Sequence, residues 1–315
     1  MKVTNRHGLP DIIARATQKV KDSYDRGKVD RSVTQLIMPP RIDLLRKANY
    51  RELSIDLSEE LWSVLGSAVH HIMTIGANQN QIVEERLFAS FDGWRLSGAI
   101  DLQEIYDDHI EISDYKVCAT YQITMNDGDA KDEWVRQLNI YKWLVETVKG
   151  KPVTKLTIVP ILRDWQRAQT GDLTYPQAPI IKVDVPVWTT ERIEAYLHER
   201  INLHRTAEFM FEIGEELPDC TPEERWERGA KWAVKKKAEA KRAYRTVLTE
   251  ADADALMATM EGKPVKEFRP GKSHRCDFCG VASWCSQYQR SGQFDQNGEH
   301  DELQELSGGD QGGEG

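Results

Sequence analysis

Apolar residues change their spacing several times along the chain, and each change marks an element. Residues 9–25 carry apolar side chains at helical intervals and read as a short helix. An apolar patch over 33–38 stops at Pro39-Pro40, after which residues 42–48 suit a second short helix. Asp56, with Glu59 three residues on, resembles a capping box. It opens an expected helix over 58–77, with Leu61, Val64, Leu65, Ala68, Val69 and Ile72 at helical spacing. The period then drops to two. Residues 82–91, 94–105 and 110–117 read as strands, and the turn formers Asp92-Gly93 and Asp107-Asp108 between them predict an antiparallel meander.

Beyond a polar stretch at 119–130, a helix is expected over 132–149, with Trp134, Leu138, Tyr141 and Val145 along one face. Two more strand candidates follow at 156–162 and 180–187, then a helix over 190–213. This succession predicts an α/β fold in which a central mixed sheet is flanked by helices. The expected organisation is an N-terminal helical segment (1–57), an α/β core (58–216) and a region of different character (217–290). That last region holds a basic stretch at 231–245, a polar helix over 250–260 and three clustered cysteines. A Gly-rich acidic tail, 291–315, is expected to be disordered.

The 315 residues leave room for one large or two medium domains. A net charge of −9 argues at first against a nucleic-acid partner. Seven of those nine net negative charges lie in the tail, however, leaving −2 for residues 1–290. An anionic partner is therefore compatible with the folded part. The sequence has no apolar run of about 18 residues, and residues 1–10 lack the apolar core of a secretory signal. The expectation is a cytoplasmic protein. The five cysteines, Cys118, Cys220, Cys276, Cys279 and Cys285, are odd in number and clustered, which favours metal binding over disulfides.

Four short signals carry candidate chemistry. Gly66-Ser67-Ala68-Val69-His70 lies on the long helix, and Gly98-Ala99-Ile100-Asp101 on the middle strand of the meander. Asp114-Tyr115-Lys116 lies on the next strand, and Gln137-Leu138-Asn139-Ile140-Tyr141 on the following helix. Asp114 and Lys116, two apart, leave one face of their strand, and Asp101 can bring a second carboxylate to it. Two carboxylates held together repel unless a cation sits between them, and hard oxygen ligands suit Mg²⁺ or Mn²⁺. His70 would add a nitrogen ligand, which tilts the choice towards Mn²⁺. A lysine beside such a cation stabilises charge developing on a phosphate. Gln137 and Tyr141, at i and i+4, share a helix face. Taken singly these signals also fit surface or packing roles: an Asp-x-Lys on a strand suits a solvated face, and His71, Glu84 and Glu85 suit surface polar groups. It is their order and spacing that point to a metal site.

These motifs, over residues 66–141, resemble those of RecB-type nucleases in the PD-(D/E)XK superfamily. The resemblance implies a restriction-endonuclease-like fold and His70, Asp101, Asp114 and the backbone carbonyl of Val117 as metal ligands. It further implies Lys116 as the catalytic lysine, acting with Asp114 and Asp101, and Gln137 and Tyr141 as DNA contacts. A helix-borne Glu belongs to many members; Glu84 and Glu85 fall on an expected strand and receive no role. The implied activity is metal-dependent hydrolysis of DNA phosphodiesters. The form it implies is an exonuclease of recombination, repair or phage DNA metabolism, in a bacterial or phage-infected cell, with a recombination or helicase partner where unwinding is needed. A DNA-binding or scaffold protein that keeps the fold without cleavage is the alternative, as is a zinc-organised adaptor.

The spacing C-x2-C-x5-C at Cys276, Cys279 and Cys285 lets three thiolates meet one metal group, and a [4Fe–4S] cluster or structural zinc normally takes four ligands. Cys220 is the favoured fourth, with Cys118 and His274 as alternatives. CRISPR-associated adaptation nucleases of the same type resemble this chain in their C-terminal cysteines. Their fourth cysteine lies in a Cys-Pro-Arg segment, where this sequence reads Met38-Pro39-Pro40-Arg41. An iron–sulfur cluster on Cys220, Cys276, Cys279 and Cys285 is the favoured expectation, with zinc the alternative. The basic stretch interleaves Lys235, Lys236 and Lys237 with aromatic Trp232 and Tyr244, a pattern suited to phosphates and exposed bases as well as to a solvated helix face.

Overall fold

The computed structural model describes residues 1–23 and 27–293; Asp25 and all but the first three residues of the expected tail lie outside them. The chain divides into two compact units, Met1–Pro218 and Asp219–Gly315.

The first unit opens with β1 (Lys2–Thr4), α1 (Asp11–Ser23), β2 (Arg31–Ser32), α2 (Val33–Ile37), α3 (Pro40–Ala48) and β3 (Ser54–Asp56). Ser32 and Gln35 form a reciprocal capping box at the start of α2. At the other end of α2, buried Arg200 donates to the carbonyls of Leu36, Ile37 and Met38 at 2.9–3.0 Å, satisfying groups a helix terminus leaves open. Pro40 begins α3, where its missing N–H costs nothing. Arg41, also buried, bonds Glu216 and the carbonyls of Leu217 and Pro218, tying α3 to the end of this unit.

Asp56 caps a 3₁₀ turn, Leu57–Glu60, through the Ser58 amide, and only then does α4 (Leu61–Ile75) begin. The helix is three residues shorter at its start than its apolar pattern suggests. Its stripe does not enter the core either: no residue of α4 is buried, and Leu61 and Ile72 are 55% and 60% exposed.

The meander follows as β4 (Gln81–Phe91), β5 (Trp94–Ile105) and β6 (Ile110–Cys118). Asp92 and Gly93 both take positive φ, 48° and 75°, the two-residue turn whose twist suits a hairpin. Next come α5 (Tyr121–Thr124), α6 (Asp132–Lys149), β7 (Val153–Leu162), β8 (Val183–Val185) and α7 (Thr190–Glu212). The sheet runs β2-β5-β6-β7-β8, with β4 on β5. It is mixed: β2 with β5 and β6 with β7 are parallel, the rest antiparallel. The core lies between this sheet and α6, joined by α7. Inside it, Asn139 accepts from the Trp188 amide and donates to the carbonyls of Val135 and Pro186, pinning the segment that leads into α7.

One irregularity positions the site. β5 is paired with β4 along one edge. On its other edge it pairs β6 only over Leu102–Ile105 and β2 only at Leu96 and Ser97. Between those stretches β6 departs and continues on β7 alone. Asp101 stands where the two strands part, and Asp114 is the first β6 residue beyond the shared ladder.

The second unit contains β9 (Glu227–Arg228), β10 (Lys231–Lys235), β11 (Arg245–Val247), α8 (Glu250–Ala258), β12 (Val265–Arg269), β13 (Lys272–Ser273), α9 (His274–Asp277) and α10 (Ser286–Arg290). β10 is the centre of an antiparallel sheet ordered β11-β10-β12, on which α8 packs and across which Trp232 meets Phe268. The basic stretch 231–245 is therefore a strand, a loop and the start of a second strand rather than a helix face. Its apolar run Trp232-Ala233-Val234 is bounded by Lys231 and Lys235, which suits a short strand.

Candidate metal and catalytic site

Where β5 and β6 part, Asp101 and Asp114 are both buried, at 7% and 1% exposure. Asp101 Oδ2 accepts from the Tyr115 amide at 2.9 Å, a bond available because β6 has left the ladder there. Burial, and then the neighbouring Asp114 charge, push the Asp101 carboxyl up to about 8. Asp114 Oδ1 accepts from Gln137 Nε2 at 3.4 Å. Its Oδ2 is buried without a well-formed hydrogen bond, and the Lys116 ammonium 2.6 Å away is its counter-charge. Burial by itself would lower the Lys116 pKa; the charges of Asp114 and Asp101 outweigh it, so the amine titrates above its ordinary value and stays an ammonium.

α4 delivers His70 to the same place. Its Nδ1 lies 2.8 Å from Glu84 Oε1 and 3.6 Å from Asp101 Oδ1, and its ring stands edge-on to Tyr115. The hydrogen bond that His70 donates to Glu84 raises the His70 pKa against burial, helped by the charges of Asp101, Glu84 and Asp114. Ligand atoms of His70, Glu84 and Asp101 all lie within 4.8 Å of one another. Glu84 is the residue the sequence reading passed over. It sits on β4 with φ 52°, in the left-handed region that side chains rarely adopt. Its ladder neighbours Val83 and Glu85 pair with Leu102 and Ile100, so Glu84 lies opposite Asp101.

The structure thus gathers His70, Asp101, Asp114 and Lys116 and adds Glu84. Val117 follows Lys116 in register with Ile161 on β7. Gln137 and Tyr141 on α6 are buried, and their polar ends turn inward: Gln137 donates to Tyr141 Oη at 2.8 Å and to Asp114. They brace a carboxylate rather than present a surface. Gly98 belongs to this brace, since a Cβ there would lie 2.7 Å from the Tyr141 ring and 2.8 Å from Leu144. His71 and Glu85 stand apart, with Glu85 held by Lys149 and Gln103 at 2.5 and 2.8 Å.

The donor set fits a hard divalent cation. The Asp114 charge raises the proton affinity of buried Asp101, the buried Asp114 Oδ2 has only the Lys116 ammonium as counter-charge, and an imidazole and a second acidic strand residue converge on Asp101. His70, Glu84, Asp101 and Asp114 would hold such an ion.

In the second unit, Cys276 has its thiol pushed up to about 11 by burial and then by Cys279 and Cys285 beside it. Cys220 is pinned by Gln287, whose amide accepts from the Cys220 N–H and donates to its carbonyl, both at 2.9 Å. Gln287 in turn lies two residues along the chain from Cys285. Among the described residues no three of these thiols lie within 4.8 Å of one another. The expected four-cysteine ligand set is therefore not assembled among the described residues. Cys118, by contrast, is buried at the end of β6 in the first unit.

The basic residues part company in the structure. Lys235 pairs with Glu267 on the neighbouring strand at 2.5 Å and is committed to the sheet. Lys236 and Lys237 are exposed and line an open cleft with Ala240, Arg242, Ala243 and Tyr244, the Lys236 ammonium lying over the Tyr244 ring.

Among the described residues no helix is long and apolar enough to cross a membrane. No curated protein matches the sequence. Among solved structures, a protein designated SSO0001 is similar at TM-score 0.42 and 18% identity, over 61% of this chain and 85% of that one. A protein from Eubacterium rectale named "putative exonuclease" is similar at TM-score 0.29 and 15% identity, over 65% and 76%. Neither likeness is close enough to bear on function. The family comparison is of another order: residues 76–286, two thirds of the chain, match the family described as the PD-(D/E)XK nuclease superfamily, a span that begins just after His70 and takes in Asp101, Asp114, Lys116 and the C-terminal cysteines. With Asp101, Asp114 and Lys116 gathered where two strands of a mixed sheet part, this chain belongs to the PD-(D/E)XK nuclease superfamily.

Proposed function

We propose that this protein is a divalent-cation-dependent deoxyribonuclease of the RecB type, acting as an exonuclease in recombination, repair or phage DNA metabolism. The reading rests on one observation above the others: the Asp101 and Asp114 carboxylates, buried together beside the Lys116 ammonium, in a chain of the nuclease superfamily. Mg²⁺ or Mn²⁺, when bound, supplies the positive charge that polarises a phosphodiester and makes water a better nucleophile. The chain's own groups do the rest. Asp101, Asp114, His70 and Glu84 present the ligand atoms, with the Val117 carbonyl a further candidate. Lys116, held as an ammonium, orients water and donates to the phosphate as negative charge develops. It acts as a charge and a donor, not as the base. Gln137 holds Asp114, and Tyr141 holds Gln137.

The first unit is the catalytic domain in this proposal, and the second carries two accessory features. Cys220, Cys276, Cys279 and Cys285 ligate a [4Fe–4S] cluster, with structural zinc as the alternative; absorbance near about 400 nm, lost in Cys276→Ala, separates the two. Lys236 and Lys237, with Arg242 and Tyr244, contact DNA phosphates and bases. The decisive experiment offers linear and circular, single- and double-stranded DNA with Mg²⁺ or Mn²⁺. Cleavage of linear DNA by the wild type, abolished in Asp114→Ala and Lys116→Ala, is the expected result. Equal cleavage by those variants would falsify the assignment.

A further inference from the structure

We propose that Trp62 and Arg163 form a stacking subsite for an unpaired nucleotide of the substrate strand, so that single-stranded DNA ends are what this site receives. The inference rests on the DNA nuclease reading and adds the form of the substrate.

Trp62 lies in the first turn of α4, the helix that carries His70, and is 49% exposed. On one side of its ring sits the Arg163 guanidinium, 3.8 Å from the centroid. A tryptophan half open to solvent with a cation stacked on it offers a π-surface and a positive charge together. That pairing suits a base next to a phosphate, and it is indifferent to sequence.

Arg163 is not a loose surface arginine. Its backbone N–H donates to the Cys118 carbonyl at 3.0 Å, which fastens it to the end of the strand bearing Asp114 and Lys116. The next residue, Asp164, accepts from the Thr120 amide and hydroxyl at 2.6 and 2.7 Å, so its carboxylate is spent within the loop.

Distance fits the same picture. Trp62 precedes His70 by eight residues, about 12 Å along a helix, the length of about three to four stacked nucleotides at 3.4 Å each. A strand whose phosphate lies at Asp101 and Asp114 would lay an unpaired base over Trp62 a few nucleotides away. A base inside a duplex has both faces covered by its neighbours and gains nothing there. The subsite therefore discriminates for an unpaired strand.

The test measures binding of fluorescein-labelled oligothymidylate and of a blunt duplex to the full chain by anisotropy, with Ca²⁺ as the cation. Trp62→Ala and Arg163→Ala are each expected to weaken oligothymidylate binding by about tenfold and duplex binding by less than about twofold. Trp62→Phe, which keeps a ring and a similar fit, should retain most of the affinity and controls for folding. Undiminished single-strand affinity in Trp62→Ala, or equal loss for single strand and duplex, overturns the subsite and leaves the nuclease reading standing. A wild type that binds neither DNA overturns the nuclease reading itself.

Discussion

Replacing Gly98 by alanine tests the brace behind the carboxylates, because two physical effects predict opposite signs. Glycine inside a strand is unfavourable by about 0.5–1 kcal/mol relative to alanine, chiefly through the freedom it has when unfolded. On propensity alone Gly98→Ala should stabilise. The surroundings say otherwise. An added Cβ would stand 2.7 and 2.9 Å from two atoms of the Tyr141 ring and 2.8 Å from Leu144 Cδ1. Contacts below 3 Å force movement, and neither neighbour can swing into solvent: Tyr141 is 4% exposed and Leu144 fully buried. Overpacking of this kind costs about 1–3 kcal/mol, which exceeds the propensity gain. The net expectation is destabilisation by about 1–2 kcal/mol, read as a fall of roughly 2–8 °C in thermal midpoint for a unit of this size.

The displaced Tyr141 ring carries a functional consequence. Its hydroxyl is the 2.8 Å partner of Gln137, which in turn donates to Asp114. A shift of the ring by several tenths of an ångström loosens Asp114, and misplacement on the order of 1 Å can cost about 100-fold in rate. Cleavage well below the midpoint temperature should fall by about ten- to 100-fold while the protein remains folded. Urea denaturation followed by tryptophan fluorescence gives the stability, and digestion of end-labelled DNA gives the rate. A variant as stable as the wild type, with unchanged cleavage, would show that the sheet and α6 do not approach each other as described.

Three further perturbations separate other parts of the structure. Glu84→Gly removes a ligand from a residue with φ 52°, where a side chain costs about 1–2 kcal/mol. Its thermal midpoint should hold or rise while Mn²⁺ affinity by calorimetry falls about tenfold or more, and an unchanged affinity would remove Glu84 from the ligand set. His204 is fully buried, and desolvation lowers its pKa from 6.5 to about 4 despite the bond to the Leu36 carbonyl. The folded state then refuses a proton that the unfolded state accepts, so stability is complete above pH 6.5 and declines towards pH 4. At about 1.4 kcal/mol per pH unit the loss is of order 3 kcal/mol, and His204→Asn should flatten that stretch of the denaturation profile. In the second unit, Lys236→Ala with Lys237→Ala should weaken DNA binding and reduce its salt slope by about 2; Lys235→Ala should leave the slope alone and lower stability, because Lys235 is paired with Glu267.

Much of the first unit was legible in the sequence, and the reason is periodicity. A change from helical to alternating spacing, punctuated by Asp92-Gly93, placed β4, β5 and β6 within a residue or two of their observed ends, and α6 fell where its apolar stripe put it. What periodicity cannot convey is where a stripe goes. The apolar stripe of α4 marked a helix, yet no residue of α4 is buried. Nor can it distinguish ladder partners: that β5 gives one stretch of an edge to β6 and another to β2 depends on contacts far apart in sequence. The basic segment failed differently. The many lysines around it read as charge first, and charge hid the short apolar run Trp232-Ala233-Val234 that forms β10.

Glu84 is the instructive omission, because the means to find it were in the sequence. A two-residue turn at Asp92-Gly93 forces Phe91 opposite Trp94, and in an antiparallel pair every step back on one strand matches a step forward on the other. Seven steps back from Phe91 is Glu84, and seven forward from Trp94 is Asp101. Register arithmetic therefore brings the two carboxylates together before any coordinates exist. The expectation that an additional glutamate should come from a helix set that inference aside. Only the backbone angle at Glu84 lay beyond reach, since nothing in the residues around it announces a positive φ. The two facts support each other. A strand that holds a glutamate in a disfavoured conformation opposite a buried aspartate, 2.8 Å from a histidine, retains it against a local energetic cost. A purely structural role would be served as well by glycine at that position, which would remove the strain, whereas a ligand role would not.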